Sequence, residues 1–219
     1  MEGKVVNMGS DQEIEGYDDY RYCNYKVLIF EDLGVRVLQD WRLGKGGILW
    51  DASWVMAKYL QSMDLENKRV IELGAGSGLP SIVSCSKGAN VVVTDLPELT
   101  QFTQANFEQN LEVLRGSYAI QDLDWQNEDH REALKGHYDL MVLSDLFYLP
   151  SLAEDFSKTV RALASEHTTI VMTYRFRVPH ILDPFLEELE KHYHIKYNDD
   201  FVRSIHRCEN IHFAELCLK

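Results

Sequence analysis

A glycine-rich turn between two apolar segments limits the folds open to this chain more than any other feature. The first segment ends at residue 73 and leads into glycines at positions 74, 76 and 78, and the second, residues 91–93, ends in Thr94 and Asp95. Glycine lets the backbone turn sharply and approach a ligand more closely than a residue with a Cβ, and continuous apolar runs are typical of buried parallel strands. A carboxylate at the position of Asp95 can accept hydrogen bonds from both hydroxyls of a ribose. The segment therefore predicts a strand–turn–helix–strand unit that holds a nucleoside, and the alternative is a turn of the same kind without a ligand.

The spacing of the glycines separates two classes of nucleotide-binding turn. A dinucleotide fingerprint, G-x-G-x-x-G, needs a glycine where this chain has Leu79. Instead, the pattern from Glu72 to Gly78 is E-x-G-x-G-x-G, which resembles motif I of the seven-strand methyltransferases that use S-adenosylmethionine. A nicotinamide-dependent dehydrogenase remains the alternative, and Leu79 weakens it.

Length and composition fit one folded domain. The chain has 219 residues, of which 45% are hydrophobic and 26% are charged, as in ordinary globular domains. Residues 1–24 are polar and acidic without a helical or strand period, so we predict a flexible tail there and a single domain over residues 25–219. The net charge of −13 argues against a nucleic-acid partner, since such domains are usually basic, and no apolar stretch reaches the roughly 20 residues of a membrane span.

The N-terminus and the cysteines indicate the compartment. The first residues contain neither an apolar signal segment nor a pattern rich in arginine and serine. Four cysteines lack C-x-x-C spacing, so we expect neither a disulfide framework nor a metal site. We therefore expect a cytoplasmic protein, with the nucleus also open. As a separate expectation, the protein is a monomer.

Alternating strand and helix patterns predict the fold class. Two β-rich runs, residues 26–30 and 35–39, flank a turn that ends in Gly34 and predict an N-terminal β-hairpin. The strands predicted after the hairpin are residues 69–73, 90–94, 118–121, 138–144, 168–173, 193–197 and 211–218, and the helices begin near 51, 79, 97, 151 and 179. We expect the last two strands to follow one another without a helix, which predicts an antiparallel C-terminal strand. The alternation predicts an α/β fold with helices on both faces of the sheet, and the resemblance of residues 72–78 to motif I implies a seven-strand class I methyltransferase (Rossmann-like) sheet.

The carboxyl ends of these strands should form the binding site, because ligands of open α/β sheets lie there. We expect residues 72–78 to wrap the amino-acid part of the cofactor and Asp95 with Leu96 to contact the nucleoside. Asp124 could accept a hydrogen bond from an adenine amino group while Trp125 stacks on the base or meets it edge-on. For Trp125 the alternative is an ordinary core tryptophan.

Five motifs in the same order and at similar intervals resemble methyltransferase family 16, which consists largely of lysine-specific protein methyltransferases. They are GILWDA at 47–52, ELGAGSGL at 72–79, TD at 94–95, LDW at 123–125 and SDLFY at 144–148. The resemblance covers residues 26–218 and is closest to the branch that methylates heat-shock chaperones and translation elongation factors. That branch also has a segment like residues 39–42 and an Arg-x-Arg like Arg175 and Arg177.

The resemblance assigns roles to individual residues. It implies that Asp145 and Tyr148 face the target lysine and are the catalytic residues. The expected contacts of S-adenosylmethionine are Trp50, Glu72, Gly74, Ala75, Gly76, Asp95, Leu96, Asp124, Trp125 and Ser144. The segment Leu96-Pro97-Glu98 departs from what the branch often has. Arg175 and Arg177 either contact an acidic substrate surface or form salt bridges on a loop.

The chemistry of lysine methylation gives Asp145 and Tyr148 definite tasks. A lysine amine has a pKa of about 10.4, so only roughly one in a thousand is uncharged near pH 7. Asp145 can orient the nitrogen and Tyr148 can hydrogen-bond beside it, while aromatic faces attract cationic groups. The alternative for this pair is an acid that caps the next helix and a tyrosine that packs behind it.

We therefore predict a protein-lysine N-methyltransferase that acts on a cytosolic protein, a chaperone or a translation factor by analogy. The alternatives are a small-molecule or RNA methyltransferase and a catalytically silent cofactor-binding module.

Overall fold

Two β-sheets organise the chain in the computed structural model, which describes residues 5–7, 26–30, 33–206 and 210–219. The smaller sheet is antiparallel and has the order β1-β2-β3. Its strands are β1 (Val5–Asn7), β2 (Lys26–Phe30) and β3 (Val35–Gln39). The predicted hairpin is therefore confirmed. Val5–Asn7 pairs with the hairpin although the sequence showed no strand period there, and the rest of the predicted tail lies outside the described residues.

The larger sheet has seven strands in the order β6-β5-β4-β7-β8-β10-β9. Its strands are β4 (Arg69–Leu73), β5 (Asn90–Asp95), β6 (Tyr118–Asp122), β7 (Leu140–Ser144), β8 (Thr169–Arg175), β9 (Tyr193–Tyr197) and β10 (Ile211–Leu218). Strand β10 is antiparallel to both of its neighbours. The neighbouring strands in the series β6-β5-β4-β7-β8 all pair in parallel. The predicted class I methyltransferase fold with an antiparallel C-terminal strand is confirmed. The winding reverses between β4 and β7, where a ligand site is expected.

Helices cover both faces of this sheet. They are α1 (Asp51–Ser62), α2 (Leu79–Ser86), α3 (Pro97–Glu108), α4 (Glu128–Ala133), α5 (Ala153–Leu163), α6 (Pro179–Glu190) and α7 (Asp199–Ile205). Because side chains alternate along a strand, Val70 and Val142 pack in one core with α1, α2 and α3. Ile71 and Met141 pack in the other core with α5 and α6. No helix in the described ranges is long and apolar enough to span a membrane.

The structure differs from the sequence prediction at short helices. Helix α7 lies between β9 and β10, so the expectation that these strands follow one another without a helix is wrong. Its seven residues bury only Val202, too little for a helical period in the sequence. Helix α4 and a 3-10 helix at Trp41–Gly47 were also not predicted, and α3 ends at Glu108 rather than near residue 114.

Asn106 of α3 and Asn110, two residues beyond the end of that helix, close the free edge of the small sheet. The Asn106 side chain accepts a hydrogen bond from the Leu38 N–H at 2.6 Å and donates one to the Leu38 carbonyl at 3.3 Å. Two residues earlier on β3, the Arg36 backbone makes the same pair of contacts with Asn110. The Asn110 side chain accepts from the Arg36 N–H and donates to the Arg36 carbonyl, both at 2.7 Å. The two amides thus satisfy backbone groups that a neighbouring strand would otherwise pair, and they attach the hairpin to the main domain.

We predict that Asn106→Ala lowers the free energy of unfolding by about 1–3 kcal/mol, because it leaves the buried Leu38 N–H without its acceptor. Urea denaturation followed by circular dichroism measures the change. Gln101→Ala on the exposed side of the same helix is the control and should change stability by less than about 0.5 kcal/mol. Equal stability of the two variants would contradict this role of Asn106.

Candidate functional site

A cavity of about 370 Å³ opens at the carboxyl ends of the central strands, a volume within the usual range for small-molecule sites of roughly 300–1,000 Å³. Its wall comes from the turns after β4, β5, β7 and β8 and from the chain around Trp50. Most of the predicted site residues line it: Trp50, Gly74, Ala75, Gly76, Asp95, Leu96, Ser144, Asp145 and Tyr148. Glu72, Asp124 and Trp125 are not part of this wall.

The turn after β4 depends on glycine for its backbone conformation and for space. Gly74, Gly76 and Gly78 have φ of +58°, +52° and +78°, a region that favours glycine. A Cβ on Gly74 would lie 2.5 Å from the Leu146 side chain, and one on Gly76 would lie 2.8 Å from the Gly46 carbonyl oxygen. The turn therefore presents bare backbone to the cavity, as a cradle for a ligand does.

The Asp95 carboxylate ties this turn to the end of β5. It accepts hydrogen bonds from the Gly76 N–H at 2.6 Å and from the Leu96 N–H at 2.7 Å. Burial raises the pKa of Asp95 to about 6. Each carboxylate oxygen has a second lone pair, and Asp95 lines the cavity, so the residue fits the predicted contact with a ribose diol.

Glu72 has a structural position. Its side chain accepts hydrogen bonds from the Ser81 N–H at 3.0 Å and from the Ser81 hydroxyl, and the residue is 1% exposed. These bonds join β4 to the first turn of α2. Burial raises the pKa of Glu72 to about 8, while the Ser81 bonds act in the opposite direction.

Asp124 and Trp125 also have local partners. The Asp124 carboxylate accepts from the Gln126 N–H at 3.0 Å, and the Asp124 N–H donates to His130 Nδ1 at 3.2 Å. Trp125 is 6% exposed and packs edge-on against Phe156 with ring centroids 4.9 Å apart. The structure thus places Trp125 in the core, the alternative named from the sequence. The contacts of both residues with an adenine stay predictions.

Asp145 has a strained backbone and a fully engaged side chain. Its φ is +56°, which is uncommon for a residue other than glycine and is frequent at functional sites. The carboxylate, 3% exposed, forms a two-pronged ion pair with the Arg177 guanidinium at 2.9 and 2.7 Å. It also accepts from the Arg175 N–H at 3.2 Å. These bonds of the Asp145 side chain thus go to β8 and the loop after it, whereas the alternative places the acid at a helix N-terminus.

Arg175, the last residue of β8, and Arg177 in the loop after it both form salt bridges. Arg175 pairs with Asp51 at 3.0 Å and Arg177 pairs with Asp145 at 2.7 Å. The Arg177 guanidinium also lies 4.8 Å from the centre of the Trp50 ring. Of the two roles left open by the sequence, the structure shows the salt bridges. They join α1 and the turn after β7 to the loop after β8.

Tyr148 and Ser144 complete the part of the wall after β7. Burial raises the pKa of Tyr148 to about 12, so its hydroxyl keeps its proton. The Ser144 hydroxyl lies 2.9 Å from that of Ser53 in α1. Lys45 Nζ lies 5.2 Å from the Tyr148 ring centre. The Tyr148 ring thus lies beside a cationic side chain, as the Trp50 ring does beside Arg177.

Sequence reasoning missed the wall formed by Lys45, Gly46, Ser53 and Leu99. The one signal in that region was its glycines, at 44, 46 and 47. They allow the 3-10 segment to approach the turn after β4 closely, as the contact between Gly46 and Gly76 shows.

Comparison with known proteins gives one family and a common fold. Residues 29–193 match a family model described as "Lysine methyltransferase". The chain is 35% identical over 177 residues to the protein N-lysine methyltransferase METTL21A of Danio rerio, covering 78% of this chain and 80% of that protein. It is 30% identical over 178 residues to EEF1A lysine methyltransferase 3 of Mus musculus, covering 80% and 73%. A TehB-like SAM-dependent methyltransferase of Corynebacterium glutamicum superimposes with a TM-score of 0.55 at 13% identity, covering 75% of this chain and 88% of that one.

We predict that Glu72→Gln flattens the dependence of stability on pH. Glu72 has a pKa of about 8 in the folded chain against its ordinary 4.5, so between these values the folded state holds a proton that the unfolded chain releases. Stability therefore falls as pH rises through this window, and glutamine removes that loss. The drop in Tm between pH 6 and pH 9 should be smaller in Glu72→Gln than in the wild type and in the exposed control Glu187→Gln.

We predict that Asp95→Asn weakens binding of S-adenosylhomocysteine about 10-fold to 100-fold, because an amide cannot accept with both atoms. In the wild type, affinity should fall as pH drops through about 6, where Asp95 takes up a proton, whereas the variant should lack this step. Isothermal titration calorimetry between pH 5 and pH 8 measures both effects, with the surface variant Asp129→Asn as control. An affinity in Asp95→Asn equal to that of the control would remove Asp95 from the binding site.

Proposed function

This chain belongs to the lysine methyltransferase family, and we propose that it methylates the side-chain amine of a lysine in a cytosolic protein. Membership makes it an S-adenosylmethionine-dependent methyltransferase, as the motifs predicted, and confirms the resemblance to methyltransferase family 16. The names of the relatives describe lysine methyltransferases, one of a protein in general terms and one of EEF1A. They support a protein substrate, and a translation factor or a chaperone is the class we propose.

One observation carries the proposal: a single cavity wall contains both the nucleoside cradle and the Asp145–Tyr148 pair. Bare backbone at residues 74–76, the Asp95 carboxylate, the Trp50 ring and Ser144 are the groups that would hold S-adenosylmethionine. The cofactor supplies a methyl group on a sulfonium, which a lysine amine can take without a metal. Asp145 and Tyr148 line the same space, so an amine that enters it reaches both of them.

The acceptor nitrogen attacks only as the uncharged amine, so the site must favour that form. The cavity wall is largely apolar around Phe147, Ile181 and Leu182, and a poorly solvated site disfavours an ammonium. The Tyr148 hydroxyl stays protonated at neutral pH because of its pKa of about 12, so it is a hydrogen-bond donor or acceptor rather than a charge. Asp145 positions the amine, since its carboxylate already has a cationic partner and is poorly suited to remove a proton.

The competing functions differ in what receives the methyl group. The relatives' names weigh against RNA and small molecules, and the acidic composition weighs further against RNA. A catalytically silent module has no need of Asp145 in a left-handed conformation beside a cofactor cradle. We propose the cytoplasm as the compartment, with the nucleus also open, and a monomer as the active form.

We predict that Asp145→Asn reduces methyl transfer about 100-fold or more while the affinity for S-adenosylhomocysteine changes less than about threefold. Asparagine tolerates the left-handed backbone, so the variant tests the charge rather than the fold. Purified protein is incubated with radiolabelled S-adenosylmethionine and cell extract, and the labelled species is identified. Asp183→Asn, exposed on α6, is the control.

Label in a protein lysine, lost in Asp145→Asn and kept in Asp183→Asn, is the expected result. Label found only in RNA or in a metabolite would overturn the proposed substrate class. Wild-type transfer by Asp145→Asn would overturn the role of Asp145.

A further inference from the structure

The Asp145–Arg177 ion pair has a geometry that favours a lasting contact. Both guanidinium nitrogens Nη1 and Nη2 donate to the two carboxylate oxygens, at 2.9 and 2.7 Å. The Asp145 side chain is 3% exposed and that of Arg177 is 39% exposed. Arg177 also lies over the Trp50 ring. A planar guanidinium that makes two parallel hydrogen bonds and also stacks on an aromatic ring loses little further conformational freedom when it pairs with a carboxylate.

This pair answers a difficulty in the chemistry of the site. A buried carboxylate without a partner stabilises a nearby ammonium, and a lysine ammonium has no lone pair with which to attack. If Asp145 faced the lysine with its charge uncompensated, the site would hold the unreactive form. Paired with Arg177, the carboxylate contributes hydrogen-bond acceptors but little net negative charge.

We propose that Arg177 is a positioning residue that neutralises Asp145, so that the cavity accepts the substrate lysine as its free amine. The inference rests on the proposed function and deepens it. The amine releases its proton to water before it attacks. A nitrogen–carbon bond then forms as the sulfur–carbon bond breaks, so that S-adenosylhomocysteine leaves as a neutral thioether and the positive charge moves to the methylated nitrogen.

The other charges around the cavity do not replace Arg177 in this role. Arg175 and Asp51 pair with one another, and burial lowers the pKa of the nearby His206, which favours its uncharged form. Lys45 lies over Tyr148, and Asp95 and Glu98 line the cavity beside the turn after β5. Among the residues that the structure describes, Arg177 is the cationic side chain bound to the Asp145 carboxylate.

The rival interpretation makes Arg177 a placeholder. In that case the lysine ammonium displaces the guanidinium and takes its place on Asp145. The two interpretations predict opposite effects of removing Arg177, because a placeholder competes with substrate whereas a neutralising partner prepares the site for it.

The first test uses n-butylamine, which has the four-carbon chain of lysine, and the protein saturated with S-adenosylhomocysteine. Affinity is measured by NMR titration from pH 7 to pH 10.5. In the wild type, affinity should rise with pH as the uncharged amine becomes available. In Arg177→Gln, affinity at pH 7 should be at least about tenfold higher than in the wild type, because the bare carboxylate binds the ammonium, and should fall with pH.

Tighter binding at pH 7 than at pH 10.5 by the wild type would overturn the inference, whether or not a protein substrate is ever found. Arg177→Lys keeps the charge and should keep the wild-type trend. Arg115→Gln removes an exposed arginine that pairs with Glu66 and is the control. Affinity for S-adenosylhomocysteine and Tm show that each variant is folded.

The second test measures kcat against pH with the labelled acceptor protein purified from the extract assay, because kcat reports ionisations in the enzyme–substrate complex. In Arg177→Gln, the acid limb of the kcat–pH profile should move to higher pH by about one unit, so that kcat at pH 7 falls about tenfold. The kcat of this variant should recover near pH 10, without a rise in KM. Arg177→Lys should keep the limb near its wild-type position. An acid limb at the wild-type position together with a higher kcat in Arg177→Gln would show that Arg177 is a placeholder. A kcat lowered by the same factor at every pH would show that Arg177 has a structural role only, and would also overturn the inference.

Discussion

The turn after β4 fixes the positions of the other parts of the site. Its three glycines adopt positive φ, and the end of β5, α3 and the start of α2 are all hydrogen-bonded to this turn or to the strand before it. The Asp95 carboxylate holds the Gly76 N–H, the Thr103 hydroxyl of α3 donates to the Gly76 carbonyl at 2.8 Å, and Glu72 holds the start of α2. A side chain on Gly74 or Gly76 would therefore collide with Leu146 or with the Gly46 carbonyl and also enter the cavity, and one on Gly78 would press on α3.

The sequence predicted the elements whose apolar residues recur often enough to form a recognisable periodic pattern. Strands β4, β9 and β10 and the hairpin have the predicted bounds, because each contains enough apolar residues to show a pattern. Helices α4 and α7 were missed, since short helices depend on a few local contacts, such as the Asn127 side chain that accepts from the His130 N–H. Side-chain direction was a second gap: Glu72 belongs to the binding motif, but its strand position points it towards Ser81. The partner of Asp145 lies 32 residues further along the chain, and no local pattern distinguishes an arginine that binds it from one that contacts a substrate.

Overall charge and local charge act at different ranges in this protein. The net charge of −13 gives a long-range field that attracts cationic partners and repels polyanions, and salt weakens it over roughly 8 Å at physiological ionic strength. At the cavity wall, the ion pair with Arg177 compensates the charge of Asp145. With the role proposed for Arg177, a lysine is drawn to the surface as a cation and then meets an Asp145 carboxylate with little net attraction for that cation.

The two asparagine contacts fix the register of the hairpin against the main domain. Asn106 in α3 binds the backbone of Leu38, and Asn110 in the turn after that helix binds the backbone of Arg36, two residues away on β3. Backbone groups of every second residue point to the same edge of an antiparallel strand. The hairpin is therefore indexed to these asparagines in whole steps of two strand residues. A one-residue insertion in β3 next to Arg36 would turn the wrong face of the hairpin towards the domain, whereas insertions in the Gly34 turn would leave this indexing intact.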